Sequence, residues 1–266
     1  MSLLEILGTA TLALIVWFTL IFMVCRRLNN YGIVDVVWSY TFTPLAWYYA
    51  LSGSGWSMRQ LVLASLASIW SIRLGSHLYK RVFSHHPEED SRYRQLRTDW
   101  QDNFGPMMFG FFQLQAISIV VLALPFLFPV FNAKPSFNLV EIIGTAIVFI
   151  SLCGETLADG QLAVFRRSPE NRGKVCNVGL WHYSRHPNYF FEWMIWVGFG
   201  VFALGSTYGW IGLIAPASIY YLLRYKTGVP MAEESSLKSK GDSFRAYQDA
   251  TNEFFPGPSR SSASSS

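Results

Sequence analysis

The chain has 266 residues, of which 51% are apolar and 14% charged, with 10 Trp and 21 Phe. Ordinary soluble domains carry about 25% charged residues, so this composition excludes a water-soluble globule and points to an all-α, multi-pass membrane protein. The net charge of +4 follows membrane topology, as shown below, and gives no case for nucleic acid as a partner.

The first uncharged run, Ile6 to Cys25, predicts a helix over 7–23, since about 20 apolar residues cross a bilayer. It has neither a basic leader nor a small-residue cleavage site, so a retained helix is expected rather than a signal peptide. Val36 to Met58 predicts a second helix over 33–52, and a run interrupted by Arg73 and His77 a third over 60–81. Asn103 to Ala133 predicts a helix over 107–130, and the stretch holding Glu155 and Asp159 a fifth over 139–164. The run from Trp193 to Leu223 is too long for one helix and contains the turn signal Gly205-Ser206-Thr207-Tyr208-Gly209. It predicts a hairpin of two short helices, 188–204 and 208–225. The expectation is one domain over 1–258 with seven transmembrane helices, followed by a disordered tail over 259–266.

Basic residues test the count. The segments after odd-numbered helices hold all of them except Arg59, Lys134 and Arg73, the last inside the third helix, so the positive-inside rule places the amino terminus outside and the carboxyl terminus in the cytoplasm. A single helix over 193–223 would put the last basic segment on the wrong side. The host membrane is expected to be a bacterial inner membrane or the endoplasmic reticulum. Cys25, Cys153 and Cys176 have neither metal spacing nor a disulfide pattern.

Polar residues inside spans are costly and therefore informative. On the fifth helix Glu155, Asp159 and Arg166 fall on one stripe, at i, i+4 and i+11. At the start of the sixth, Arg185, Asn188 and Glu192 repeat the pattern, with Pro187 suited to a first turn and Ser184 or His186 placed to cap it. Between them lies a basic connection, Arg166, Arg167, Arg172 and Lys174, of the kind that meets lipid headgroups or a nucleotide phosphate. In the amino-terminal half Tyr31, Asp35, Ser39 and Thr43 step along the second helix, and Arg73, His77 and Arg81 along the third. Asp35 with Arg73 reads as a buried ion pair, and His77 and Tyr79 as groups able to polarise a carbonyl. Gln113 and Gln115 either line a cavity or bridge helices. The run His85-His86-Pro87-Glu88-Glu89-Asp90 reads as a solvated loop, since no metal-binding spacing accompanies it. No metal is expected.

These residues carry a resemblance. The run Glu155 to Arg166 with Asp159-Gly160-Gln161, then Gly179-Leu180-Trp181, then Ser184-Arg185-His186-Pro187-Asn188-Tyr189 with Glu192, resembles the carboxy-terminal region of the steroid 5α-reductase superfamily. The likeness runs on through Gly228-Val229-Pro230 with Glu233 to Tyr247 and Phe254-Phe255-Pro256-Gly257. Asp35-Val36-Val37-Trp38, Arg73-Leu74-Gly75 and Glu89-Asp90 with Arg92-Tyr93 are similar to its bacterial-type, DUF1295-like branch.

The resemblance implies a seven-helix reductase that takes NADPH from the cytoplasm among its last helices. By position Asp159 and Arg166, Asn188, Tyr189 and Glu192, and Arg185 and His186 fall on cofactor positions. Arg224 is matched to a phosphate, and Glu155 stands where steroid reductases have Asn. The substrate end departs from the family: the Gln-Glu pair that holds a 3-keto oxygen is absent, and Tyr79 or His77, backed by Asp35, is expected to be the acid. The chemistry implied is reduction of a carbon–carbon double bond conjugated to a carbonyl, in a steroid-like or other lipid substrate entering from the bilayer. The Arg-His-Pro-x-Tyr segment and a later glutamate are also similar to isoprenylcysteine carboxyl methyltransferases, which use S-adenosylmethionine. A lipid-binding or transport protein is the non-enzymatic alternative.

Overall fold

In a bilayer every backbone N–H and C=O must be satisfied internally. The computed structural model describes residues 1–84 and 88–260, and every regular element among them is helical. His85, His86 and Pro87, and the tail from 261 onward, lie outside the described residues. The chain divides into two compact units, residues 1–139 with 203–214, and 140–202 with 215–266.

The first unit contains α1 (Leu3–Leu28), α2 (Ile33–Ser52), α3 (Ser57–Phe83), α4 (Ser91–Asp99), α5 (Phe104–Leu122) and α6 (Leu124–Leu127). α1 opens with a reciprocal capping box between Ser2 and Glu5 and closes at Asn29 in the left-handed conformation, φ 52°. α2 and α3 are joined by a short turn and zipped by hydroxyls. Ser71 Oγ donates to the Ser39 carbonyl at 2.6 Å, Thr43 Oγ1 to Ser71 Oγ at 2.9 Å, and Trp47 Nε1 to Ser68 Oγ at 3.1 Å. Trp38 Nε1 donates to Ser118 Oγ on α5 at 2.9 Å, and Gln113 Nε2 to Thr19 Oγ1 on α1 at 3.1 Å, so Gln113 bridges helices. Arg59, fully buried, donates to the carbonyls of Asn132, Lys134 and Ser136 and so satisfies an irregular loop that no helix could.

The amphipathic helix α4 is held by acids. Asp35 on α2 accepts from Arg92 Nη2 at 2.7 Å and from the Tyr93 hydroxyl at 2.7 Å, and pairs with Arg81 on α3 at 3.4 Å. Two of these three partners come from a helix that the hydropathy pattern does not reveal. Burial and the neighbouring Asp35 carboxylate push the Tyr93 phenol well above its usual pKa, keeping it a donor. Glu88 to Asp90 were expected in a solvated loop, and the structure corrects this for two of them. Glu89 is buried, accepting from the Tyr31 amide at 2.8 Å and Arg97 Nε at 2.6 Å, and Asp90 caps α4 by accepting from the Arg92 amide at 3.0 Å.

The second unit contains α7 (Leu139–Arg167), α8 (Leu180–Tyr183), α9 (Pro187–Ala203), α10 (Ile214–Tyr225), α11 (Val229–Lys240) and α12 (Asp242–Ala250). α7 and α9 meet backbone to backbone. A Cβ on Gly144 would lie 2.5 Å from the Phe202 amide nitrogen, and one on Gly198 would lie 2.8 Å from that of Val148.

Among the described residues four helices, α1, α3, α5 and α7, are long and apolar enough to cross a membrane, which makes this a multi-pass integral membrane protein. The expected helix over 107–130 is broken: α5 stops at Leu122, and Pro125 and Pro129 stand in the first turns of new short segments, since proline lacks the N–H needed to continue one. The expected break near Gly205 is present, with α9 ending at Ala203 and Tyr208 left-handed at φ 60°. The helix expected over 208–225 is shorter, because 209–213 winds as a 3-10 turn and α10 keeps 12 residues. That length rises about 18 Å against a hydrocarbon core of about 30 Å.

Asp35→Asn should weaken the anchor of α4 by about 2 kcal/mol, the scale of hydrogen bonds to a charged group. Amide hydrogen exchange in 91–99 should then rise roughly 30-fold while 144–158 stays unchanged. Unaltered exchange in α4 would show that the helix is held by other contacts.

Candidate functional site

The polar residues of the second unit fall into three groups. The first joins α7 to α9. Asp159 and Asn188, one from each polar stripe, meet, with Asn188 Nδ2 donating to Asp159 Oδ1 at 3.2 Å. The Asn188 carboxamide oxygen accepts from the Tyr189 amide at 3.0 Å, which fixes which way the amide points. One turn along α9, buried Glu192 accepts from Trp196 Nε1 at 3.0 Å. One turn back on α7, Glu155 is buried.

The second group is built on the turn into α9. Ser184 is the cap: its hydroxyl accepts from the His186 amide at 3.1 Å and donates to the Phe254 carbonyl at 2.9 Å. Arg185 and His186 converge on Glu233 of α11. Arg185 Nε donates to Oε1 at 2.7 Å, His186 Nε2 lies 3.1 Å from the same oxygen, and Gln248 Nε2 donates to Oε2 at 2.7 Å. Arg185 Nη1 also donates to the carbonyls of Gln248 and Thr251. Burial alone would raise the Glu233 carboxyl, but these donors and the Arg185 charge hold it at about 2. Burial pushes His186 below the usual imidazole range, so the ring is neutral and its Nε2–H donates to the carboxylate. His186 also stacks on Tyr189, with ring centroids 5.5 Å apart and planes 5° from parallel.

The third group is cationic. Arg166 stands in the last turn of α7, near enough to Lys240 at the end of α11 for its charge to act there. Burial and the Arg166 charge both lower the Lys240 ammonium. Among the described residues neither side chain has an acidic partner. Arg224, matched above to a phosphate, is paired with Glu253 and lies over the Tyr225 ring at 5.5 Å.

A further strap ties the carboxyl-terminal segment to this site. The Tyr247 hydroxyl donates to the Trp181 carbonyl, Trp181 Nε1 donates to the Ala158 carbonyl at 2.9 Å, and the Leu180 amide donates to Gln161 Oε1 at 2.9 Å. Gly179 makes this possible, since its φ is +56° and a Cβ there would lie 2.3 Å from the Gln161 side chain. Gln248 and Lys240 carry no sequence signal of their own, because both sit on short polar helices. Glu233 and Tyr247 appear only through the resemblance.

In the first unit Tyr79 is half exposed and stacks on Phe83 at 4.4 Å, and Asp35 is committed to Arg92, Arg81 and Tyr93. Arg81 lies one turn beyond His77 on α3, so Asp35 positions the end of the helix that carries both His77 and Tyr79.

A family model described as a protein of unknown function, DUF1295, matches residues 21–251. The chain belongs to the DUF1295 family. This DUF1295 protein is also similar to an uncharacterized protein of Schizosaccharomyces pombe, 24% identical over 260 residues that cover 86% of this chain and 73% of that one. No solved structure matches it.

Acid should loosen the Glu233 node in two stages. Both folded pKa values lie below their ordinary ones, so the stabilisation is complete at neutral pH and is lost on acidification. His186 contributes from about 6.5 downward and Glu233 between about 4.5 and about 2. In detergent the thermal-unfolding deficit of Glu233→Gln against wild type should be largest above about pH 4.5 and narrow below it. A deficit independent of pH would refute the assignment.

Proposed function

We propose that this DUF1295 protein is a membrane-embedded, NADPH-dependent reductase. Its substrate is a carbon–carbon double bond conjugated to a carbonyl in a steroid-like or other lipid molecule. The observation that carries the reading is the Asp159–Asn188 hydrogen bond, an acid and an amide set on two helices beside a cationic end. Arg166 and Lys240, like charges close together without an acid, are relieved by an anion, and a phosphorylated dinucleotide supplies one. Kinship with the steroid 5α-reductase superfamily belongs to the same reading and is supported by the Asp159-Gly160-Gln161 and Ser184-to-Glu192 motifs. So do seven crossings with the carboxyl terminus in the cytoplasm, supported by the skew of basic residues.

The residues fit the cofactor by chemistry. Asp159, Asn188, Tyr189 and Glu192 offer donors and acceptors to the nicotinamide and ribose, with Glu155 behind them. Arg166 and Lys240 offer charge to phosphate, and Arg224 does so on exchanging Glu253 for it. Arg185 and His186 act as positioning residues by locking the start of α9 to Glu233. NADPH, when bound, supplies a hydride to the β-carbon. Asp159 orients the Asn188 carboxamide, and the spans exclude water. The proton that meets the developing charge on the carbonyl oxygen is assigned to Tyr79 or His77.

One observation favours a second reading. Arg185 and His186 of an Arg-His-Pro-x-Tyr segment converge on the later Glu233, the pairing of elements that isoprenylcysteine carboxyl methyltransferases carry for S-adenosylmethionine.

Titrating the detergent-solubilised protein with each cofactor separates the two. NADPH should bind and S-adenosylmethionine should not, and Asp159→Ala or Asn188→Ala should weaken NADPH by about 10- to 100-fold, the loss of one charge-assisted hydrogen bond. Undiminished NADPH affinity in both variants, or binding of S-adenosylmethionine alone, would reject the reductase. Tyr79→Phe or His77→Gln should lower turnover at least tenfold with the NADPH Kd unchanged; full turnover in both would remove them as acids.

A further inference from the structure

At the charged end of α1 the first unit holds a cavity of about 610 Å3, inside the range of about 300–1,000 Å3 typical of ligand clefts. Its polar side is Arg26, Asn29 and Arg97, and its apolar side Phe22, Phe104 and Phe109. We propose that this cavity binds the phosphate of an anionic phospholipid, with the proximal part of an acyl chain lying against Phe22 and Phe109.

The two arginines are prepared differently. Arg97 is fixed: its Nε donates to Glu89 at 2.6 Å, its Nη2 to Asn29 Oδ1 at 2.8 Å, and its guanidinium lies 5.0 Å over Tyr31 and 4.8 Å over Phe104. Glu89 already balances much of its charge. Arg26 is not balanced. Its guanidinium makes no ion pair and no hydrogen bond among the described residues, although it stands in the last turn of an apolar span. Burial raises the Tyr31 phenol, and Arg97 and Arg26 are the charges that oppose this, so both cations act on the same wall of the cavity.

Backbone adds to the field. Phe104, Gly105 and Pro106 are the first turn of the 19-residue helix α5, and Asn103 supplies no side-chain cap. The unsatisfied amides and positive dipole of that end favour an anion beside Arg26.

The apolar wall decides between a lipid and a free anion. Phe109 in its wall is 40% exposed, and Met23 on α1, next in sequence to Phe22, and Met107 on α5, next to Pro106, are exposed at 46% and 47%. Both helices are apolar enough to be spans, so the opening is continuous with surface that faces hydrocarbon. A phosphate carried on acyl chains satisfies both sides at once, whereas a free phosphate leaves the phenyl wall unused.

The full-length protein in detergent provides the test, with phosphatidylglycerol, phosphatidylcholine and inorganic phosphate as probes and native mass spectrometry and thermal unfolding as readouts. Phosphatidylglycerol should be retained at least fivefold more than phosphatidylcholine and should raise the unfolding temperature, while inorganic phosphate should not. Arg26→Gln should cut retention at least fivefold and leave the lipid-free unfolding temperature unchanged, because Arg26 serves no protein partner. Arg27→Gln, in the same turn but outside the cavity, should retain lipid as wild type does, and Phe109→Ser should lose it. Equal losses in Arg26→Gln and Arg27→Gln would mean diffuse charge attraction, and protection by inorganic phosphate would mean a free-anion site; either result, or wild-type retention in Arg26→Gln, overturns the proposal.

Discussion

A carboxylate beside a membrane helix must be met by several donors, because one left with a bare charge costs several kcal/mol. The chain solves this the same way three times. Asp35 gathers two arginines and a tyrosine hydroxyl, Glu89 an arginine and a backbone amide, and Glu233 an arginine, a neutral histidine and a glutamine. In each case the donors come from different parts of the chain, so the carboxylate acts as a fastener. The short polar helices, which bury too little to hold themselves in place, are attached through these acids.

This explains which features the sequence discloses. Long apolar runs and their caps depend on local composition, and α2 falls on the expected 33–52 because glycines bracket it. The two polar stripes are legible too, since helical spacing puts Glu155 with Asp159 and Asn188 with Glu192 on one face each, but the Asp159–Asn188 bond between them is a tertiary contact. The break after Leu122 is less visible, because an apolar run hides its prolines from a hydropathy count. α4, α11 and α12 are short and polar on average, so no apolar run announces them, and the donors they bring to Asp35 and Glu233 depend on tertiary contacts far apart in sequence. Arg92 and Gln248 are therefore beyond what composition or spacing could nominate.

The same view separates residues that position from residues free to react. Arg185 and Asp35 are saturated, and their removal acts through helix placement. Among the described residues Arg166, Lys240 and Arg26 have no acidic partner, which is the condition under which an external anion gains most. The surroundings of the two sites differ. Arg166 and Lys240 stand near polar residues on α7 and α9, whereas Arg26 stands against phenyl rings. The first suits a nucleotide and the second an amphiphile.

The glycine contact between α7 and α9 has a mechanical consequence. Gly144 and Asp159 are about 22 Å apart along one helix, and Gly198 and Asn188 are separated along the other in the opposite sense. The glycine crossing is thus a fulcrum and the acid–amide pair the far tips of two stiff arms. A small splay at the fulcrum, such as an added methyl group would impose, is magnified at the tips, where a shift of under 1 Å breaks a hydrogen bond of 3.2 Å. Side-chain volume at Gly144 and Gly198 thereby bears on the polar pair without touching it.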